Sequence, residues 1–157
     1  MPKSTKMPVK IAVINGPNLN LLGVREPELY GYKSLSDINH ELSGLYSGQA
    51  ELEFFQSNHE GTLVDFIQNT RGKYDWIIIN AGAYSHNSIA IHDALLAAGI
   101  PSIEVHVTNI YQREDFRQKS LISKVAVAGV FGFGWLGYKI AIDAAINMAD
   151  RINTNER

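Results

Sequence analysis

Five short apolar runs alternate along the chain with segments in which apolar residues recur every three or four positions, and this alternation is what most narrows the fold. Strands separated by helices build crossover units, which assemble into a parallel sheet with helices on both faces. The first run, Ile11 to Ile14, breaks at Asn15-Gly16-Pro17-Asn18. An apolar strand ending in a Gly/Pro turn delivers a polar loop to the carboxyl edge of an open sheet, where such sheets bind ligands. The loop that follows carries Arg25, Glu26 and Tyr30 and closes on Gly31. Loops this long are commonly lids, binding segments or disordered. A titratable cluster of arginine, glutamate and tyrosine favours a lid.

The remaining elements follow in order. Leu35, Ile38, Leu42 and Leu45 stand at helical spacing between Leu35 and Tyr46, with Ser34 or Ser36 placed to cap the helix. Glu51 to Gln56 reads as a second strand, ending in the turn Ser57-Asn58-His59-Glu60-Gly61. Thr62 to Arg71 is a short helix with Leu63, Phe66 and Ile67 inward. Trp76 to Ile79 is a continuous apolar run, as in a strand covered on both faces. Asn80-Ala81-Gly82-Ala83 leads into a helix to about Ala98 that stops at Gly99, its apolar face being Ile89, Leu95 and Leu96. Ile100 to Thr108 is a fourth strand, Arg113 to Phe116 lie on a short polar helix, and Val125 to Phe131 is a fifth strand. Gly132 to Gly137 turns into a closing helix from Tyr138 to about Arg151. These elements predict one three-layer α/β domain over residues 1–157, with residues 1–8 as a flexible tail. Five parallel strands joined by right-handed crossovers favour the flavodoxin-like order 2-1-3-4-5, with helices on both faces.

Composition removes several classes of function. The net charge is −2, and no basic run exists beyond the lysines of the first ten residues, which argues against nucleic acid as the main partner. The absence of cysteine excludes a disulfide scaffold, a thiolate nucleophile and a thiolate metal site. Hydrophobic residues make up 45% and charged residues 19%, a globular rather than a disordered balance. No apolar run approaches the roughly 18 residues of a membrane span and no signal peptide is visible, so the expected location is cytoplasmic.

Polar residues gather just after the strands: Asn15 and Asn18, His59 and Glu60, Asn80, and His106 to Asn109. They are expected to point into one crevice. Side chains alternate along a strand, so Ile103, Val105 and Val107 share one face while Glu104, His106 and Thr108 share the other. A carboxylate two residues from a histidine orients the imidazole and stabilises its protonated form, which points to a general acid. A free tyrosine, with a pKa of about 10, is too weakly acidic to serve as a base near neutral pH. One guanidinium about 4 Å away, at an effective dielectric near 20, offsets about 4 kcal/mol of that difficulty before desolvation, which makes Tyr30 a candidate base through Arg25. His86 is placed near a helix start, where backbone N–H groups favour anions. Gly132-Phe133-Gly134-Trp135-Leu136-Gly137 matches G-x-G-x-x-G but lies too near the end for a following crossover unit, so it reads as close strand–helix packing. A metal site from His59, Glu60, His86 and His106 lacks the usual ligand spacing. Asp93 reads as a solvated or interface residue and His40 as a surface one.

Together, Asn15-Gly16-Pro17-Asn18-Leu19, Arg25-Glu26-Pro27 with Tyr30-Gly31, Gln56-Ser57-Asn58-His59-Glu60-Gly61, Asn80-Ala81-Gly82-Ala83, Glu104-Val105-His106 and Arg113-Glu114-Asp115-Phe116-Arg117 resemble type II 3-dehydroquinate dehydratase, in the right order and over nearly the whole chain. The resemblance implies a flavodoxin-like, cofactor-free lyase, assembled as a homododecamer (a tetramer of trimers). Its reaction would be the trans-dehydration of 3-dehydroquinate to 3-dehydroshikimate through an enolate. The same chemistry serves the shikimate pathway of aromatic amino acid biosynthesis and quinate breakdown. The resemblance makes Tyr30 the base, held ionised by Arg25, and has Asn18 position a water against the enolate oxygen. It makes His106, oriented by Glu104, the acid for the departing hydroxyl. The substrate carboxylate would meet the side chain of Asn80 and the backbone N–H groups of Val107 and Thr108, with His86 and Arg117 on the ring hydroxyls. Asp93 would reach into a neighbouring subunit's site, and Glu26 would help hold the lid. His92 stands where this family usually has arginine, which bears on the trimer contact; Thr108 stands where serine is common, and Ser85 and Asn87 where threonines are. The competing reading is a non-enzymatic flavodoxin-like module for phosphate or flavin. That reading predicts a Ser/Thr-rich loop after the first strand, whereas this loop offers Asn, Pro, Arg and Tyr.

Overall fold

Six of the seven residues of Val9–Asn15 are buried, so this strand, β1, has to lie between two others with helices above and below. After it come a 3-10 turn (Leu19–Leu21), the one-turn helix α1 (Pro27–Tyr30), α2 (Leu35–Leu45), β2 (Ala50–Gln56), α3 (Glu60–Asn69) and β3 (Trp76–Asn80). A second 3-10 turn (Gly82–His86) precedes α4 (Ile89–Ala98) and β4 (Ser102–His106). Two more such turns (Ile110–Gln112 and Asp115–Arg117) lead to β5 (Ala128–Phe131) and α5 (Leu136–Asn155). The computed structural model describes residues 6–155, so most of the expected tail over residues 1–8 lies outside the described residues. The strands pair in parallel in the order β2-β1-β3-β4-β5, the expected flavodoxin-like topology. Among the described residues no helix is long and apolar enough to cross a membrane.

Alternation along the central strands decides which helices lie on which face. Ile11, Val13, Trp76, Ile78, Ile103 and Val105 pack against Ile38 and Leu42 of α2 and Tyr138, Ala141 and Ile142 of α5. Ala12, Ile14, Ile77 and Ile79 pack on the other side against Leu63 and Ile67 of α3 and Ile91, Ala94 and Leu95 of α4. Each fully buried aliphatic chain contributes about 1.5–3 kcal/mol. A one-residue slip in register would therefore cost far more than any loop could restore.

Several boundaries differ from those expected, and hydrogen bonding explains each. The strand expected over Ile100–Thr108 narrows to Ser102–His106. It begins after Pro101, which has no N–H to give, and beyond its end the Val107 carbonyl accepts from the Gly134 N–H at 2.9 Å. The strand expected over Val125–Phe131 shortens to Ala128–Phe131, because the Val125 and Ala126 N–H groups turn onto the Ile122 carbonyl at 3.0 and 2.9 Å. The helix expected over Thr62–Arg71 starts at Glu60 and ends at Asn69. Thr70 closes it by placing both its N–H (3.1 Å) and its hydroxyl (2.6 Å) on the Ile67 carbonyl. Ser34 caps α2 as expected, in a capping box with Asp37, while Leu45 is largely exposed.

The expected single helix up to Ala98 is divided, with α4 starting afresh where the Ser88 hydroxyl accepts from the Ile91 N–H at 3.0 Å. Its buried stripe is Ile91, Ala94, Leu95 and Ala98, whereas Ile89 and Leu96 lie on the far side, 66% and 60% exposed. The short helix expected at Arg113–Phe116 is instead two 3-10 turns with Arg113 between them. Gly137 packs as the glycine-rich stretch predicts: a Cβ there would stand 3.2 Å from Val105 Cγ1 and 3.6 Å from Val130 Cγ1.

Candidate active site

A cleft opens at the carboxyl ends of β1, β3 and β4, lined by Asn18, Arg25, Tyr30, Asn80, His86, His106, Val107, Thr108, Arg113 and Arg117 among others. The strand register sets Asn15 of β1 beside Asn80 of β3. Gly16 lets the two loops close on each other, since a Cβ there would stand 2.3 Å from the Ala81 carbonyl oxygen. Its N–H donates to the Asn80 carbonyl at 2.8 Å. Asn18 is in the left-handed region at φ 67°, which asparagine tolerates better than most residues. Its N–H donates to Asn58 Oδ1 at 3.0 Å, so the turn after β2 holds it from behind.

The expectation that every strand end feeds one crevice needs correction. His59 and Glu60 do not line the cleft, and the end of β2 supports it from behind, through Asn58 and through Gln56, whose Nε2 donates to the Gly16 carbonyl at 3.2 Å. Asn15 lies beneath the floor, 1% exposed. The Asn109 side chain turns back to accept from the Tyr111 N–H at 3.1 Å. Among the described residues no three His, Asp or Glu side chains converge as a metal ion would require.

On β4, Glu104 and His106 share one face and are both buried, with His106 Nε2 at 3.2 Å from Glu104 Oε2. Two hydroxyls that sequence reasoning did not find complete the carboxylate's surroundings. Ser123 Oγ donates to Oε1 at 2.7 Å and Ser120 Oγ donates to Oε2. Burial pushes the Glu104 carboxyl up, but the imidazole beside it and the two hydroxyls together outweigh burial, so it ends below the usual glutamate range. Glu104 is thus an anion fixed from three sides and turned to one ring. No spacing rule in the sequence joins residues 120 and 123 to residue 104.

Tyr30 sits at the end of α1. The carbonyl of Glu26, itself at φ 39°, holds this turn by accepting from the N–H groups of Leu29 (2.9 Å) and Tyr30 (3.0 Å). The Arg25–Glu26 ion pair, 3.8 Å apart and largely exposed, adds little. The Arg25 guanidinium carbon lies 5.3 Å from the centre of the Tyr30 ring. The hydrogen bond to the phenol oxygen comes from elsewhere: Arg113 Nη1 donates to it at 2.8 Å. Arg113 belongs to a motif that the sequence displays plainly, yet it stands 83 positions from Tyr30. Only the adjacency of the loops after β1 and β4 brings the two together. Negative charge developing on that oxygen meets two guanidinium groups.

His86 ends the 3-10 turn Gly82–His86, just before Ser88 caps the start of α4 at Ile89, and so lies near a helix start as expected. Its Nδ1 lies 2.7 Å from the Lys119 carbonyl. A carbonyl only accepts, so Nδ1 carries the hydrogen and the neutral ring offers Nε2 as an acceptor. The His86 and His106 rings are 6.2 Å apart and nearly parallel. Arg117 lines the cleft with its Nε 3.0 Å from Glu114 Oε2. Asp93 does not line it: its carboxylate is 67% exposed and lies 3.0 Å from His92 Nδ1. The cleft lining therefore holds three arginines and no carboxylate, Glu104 being buried behind His106, a field suited to an anionic ligand.

The family model described as Dehydroquinase class II matches residues 9–146. A 3-dehydroquinate dehydratase from Francisella philomiragia is 54% identical over 138 residues, covering 87% of this chain and 94% of that protein. The crystal structure of a type II dehydroquinase from Butyrivibrio crossotus superposes with a TM-score of 0.85 at 43% identity, over 88% of this chain and 97% of that one. A type II dehydroquinase from Propionibacterium acnes gives 0.86 at 35% identity, over 90% and 98%. With the family model, these relatives and the strand order in agreement, the chain belongs to the class II dehydroquinase family.

Proposed function

We propose that this chain is a hydro-lyase that dehydrates 3-dehydroquinate to 3-dehydroshikimate. The observation that carries the reading is the pairing of two reactive groups in one cleft: a tyrosine oxygen held by Arg113 at 2.8 Å, and a buried histidine 3.2 Å from a buried carboxylate. Abstracting a proton next to a ketone and expelling a hydroxyl from the neighbouring carbon needs a base, a stabiliser for the enolate and an acid for the leaving group. In our reading Tyr30 is the base, with Arg25 and Arg113 favouring its anion. A water held by Asn18 stabilises the enolate oxygen. His106, oriented by Glu104, protonates the departing hydroxyl.

The substrate carboxylate lies against Asn80 and the N–H groups of Val107 and Thr108, and His86 and Arg117 take the ring hydroxyls. The reaction so described uses no cofactor and no metal. The same proposal includes a cytoplasmic enzyme and a homododecamer in which Asp93 serves a neighbouring subunit's site; the exposure of Asp93 outside its own cleft supports that last role.

Ultraviolet absorbance after mixing the protein with 3-dehydroquinate tests the reading. The conjugated enone of the product should appear with chelator present and after borohydride treatment. Absence of that rise from a folded protein would overturn the dehydratase reading and favour a binding module. Loss of the rise with chelator or borohydride would overturn the cofactor-free mechanism.

A further inference from the structure

Tyr138, near the start of α5, is fully buried, and its hydroxyl sits beneath the paired ends of β1 and β3. The hydroxyl donates to Asn15 Oδ1 at 2.5 Å. A hydroxyl has one proton to give, so towards Asn80 it can only accept, and it does so from Asn80 Nδ2 at 3.0 Å. The other end of the same amide is also held: Asn80 Oδ1 accepts from the Gly82 N–H at 3.1 Å. An amide bound in this sense at both ends cannot turn over without breaking two hydrogen bonds in a site where Asn80 is 3% exposed. Its second Nδ2–H is what remains for the cleft that Asn80 lines with Val107 and Thr108. Burial pushes the Tyr138 phenol well above its ordinary range, against the opposing pull of the Asn80 hydrogen bond, so the proton that sets this direction stays in place.

We propose that Tyr138 is a positioning residue that fixes Asn80 as a hydrogen-bond donor toward the cleft, and so selects a substrate with an anionic group at that point. The inference rests on the reading that the substrate carboxylate lies against Asn80. A donor at that position welcomes a carboxylate, whereas a flipped amide would present an oxygen and repel it. Tyr138 acts through Asn80 and touches nothing that reacts.

The test is a double-mutant cycle on the full chain with 3-dehydroquinate: wild type, Tyr138→Phe, Asn80→Ala and the pair, each with kcat, KM and melting temperature. Tyr138→Phe should raise KM about tenfold, the scale of one oriented hydrogen bond to a charge, and leave kcat within about twofold. In the pair, KM should match that of Asn80→Ala alone, because Tyr138 has nothing left to orient. Asn15→Ala provides a second route with the buried ring retained: the hydroxyl is freed to point at Asn80, and KM should rise in the same way. A Tyr138→Phe protein with unchanged KM, or KM effects that multiply in the pair, would overturn the inference and leave Tyr138 a packing residue seen only in the melting temperature. A wild type that forms no enone would overturn the dehydratase reading itself, and this inference with it.

Discussion

The phenol oxygen of Tyr30 receives a charged hydrogen bond from Arg113, while Arg25 faces the same ring. If that oxygen is the base, Tyr30→Phe should lower kcat by about 10²–10⁴-fold, the range for a lost acid–base group, with substrate binding largely kept. Arg113→Ala and Arg25→Ala should both fall steeply in kcat. Steady-state rates that left Arg113→Ala near wild type would return the role to Arg25 alone. Glu104 gives a second residue-level prediction. Its folded carboxyl titrates below an unfolded glutamate, which titrates near 4.3. Between the two values the unfolded chain holds more protons, so stability rises with pH there and is lost on acidification through the folded value. Melting temperatures followed from about pH 6 to pH 3.5 should therefore fall more for wild type than for Glu104→Gln. Parallel curves would mean that the carboxyl is not held as an anion.

At the scale of elements, Ser34 ties the start of α2 to Asp37 through reciprocal hydrogen bonds at 3.0 and 3.1 Å. Ser34→Ala should cost about 1 kcal/mol, or roughly 2–4 °C of melting temperature for a chain of this size. Thermal melts with no change would show the cap to be replaced by solvent. Elements are also where sequence and structure meet most closely. The run Trp76–Ile79 announces a doubly covered strand because burial on two faces leaves no polar position, and β3 is buried throughout. Strand ends are a different matter. They depend on which carbonyl wins a given N–H, as at Val125 and Ala126, and neighbouring letters carry no trace of that competition. The same limit governs the site. Glu104 and His106 are legible because two residues on one strand must share a face. Arg113, Ser120 and Tyr138 meet their partners only through the folded topology, and their sequence separations of 83, 16 and up to 123 obey no local period.

For the whole molecule, the homododecamer proposed above needs a surface to bury, and the outer side of α4 is a candidate. Ile89 and Leu96 stand exposed there, on the helix that also carries the outward Asp93. If this side is buried between copies, Ile89→Asp with Leu96→Asp should convert the assembly to smaller species in sedimentation while the circular dichroism of the fold is retained. An unchanged sedimentation coefficient would move the contact elsewhere.

The hydrogen bond between Tyr138 and Asn15 has one more consequence, in the order of synthesis. Those residues lie 123 positions apart, so at 5–20 residues per second the ribosome takes roughly 6–25 seconds to supply the second after the first. Through that interval β1, β2 and β3 can pair, but the amide at the tip of the central strand waits for its partner, and the cleft waits for β4. Competence for the reaction thus arrives late, with the last helix. A chain interrupted before α5 has its five strands but lacks the helix that covers one face beside α2, and so is work for chaperones and proteases rather than a weaker enzyme.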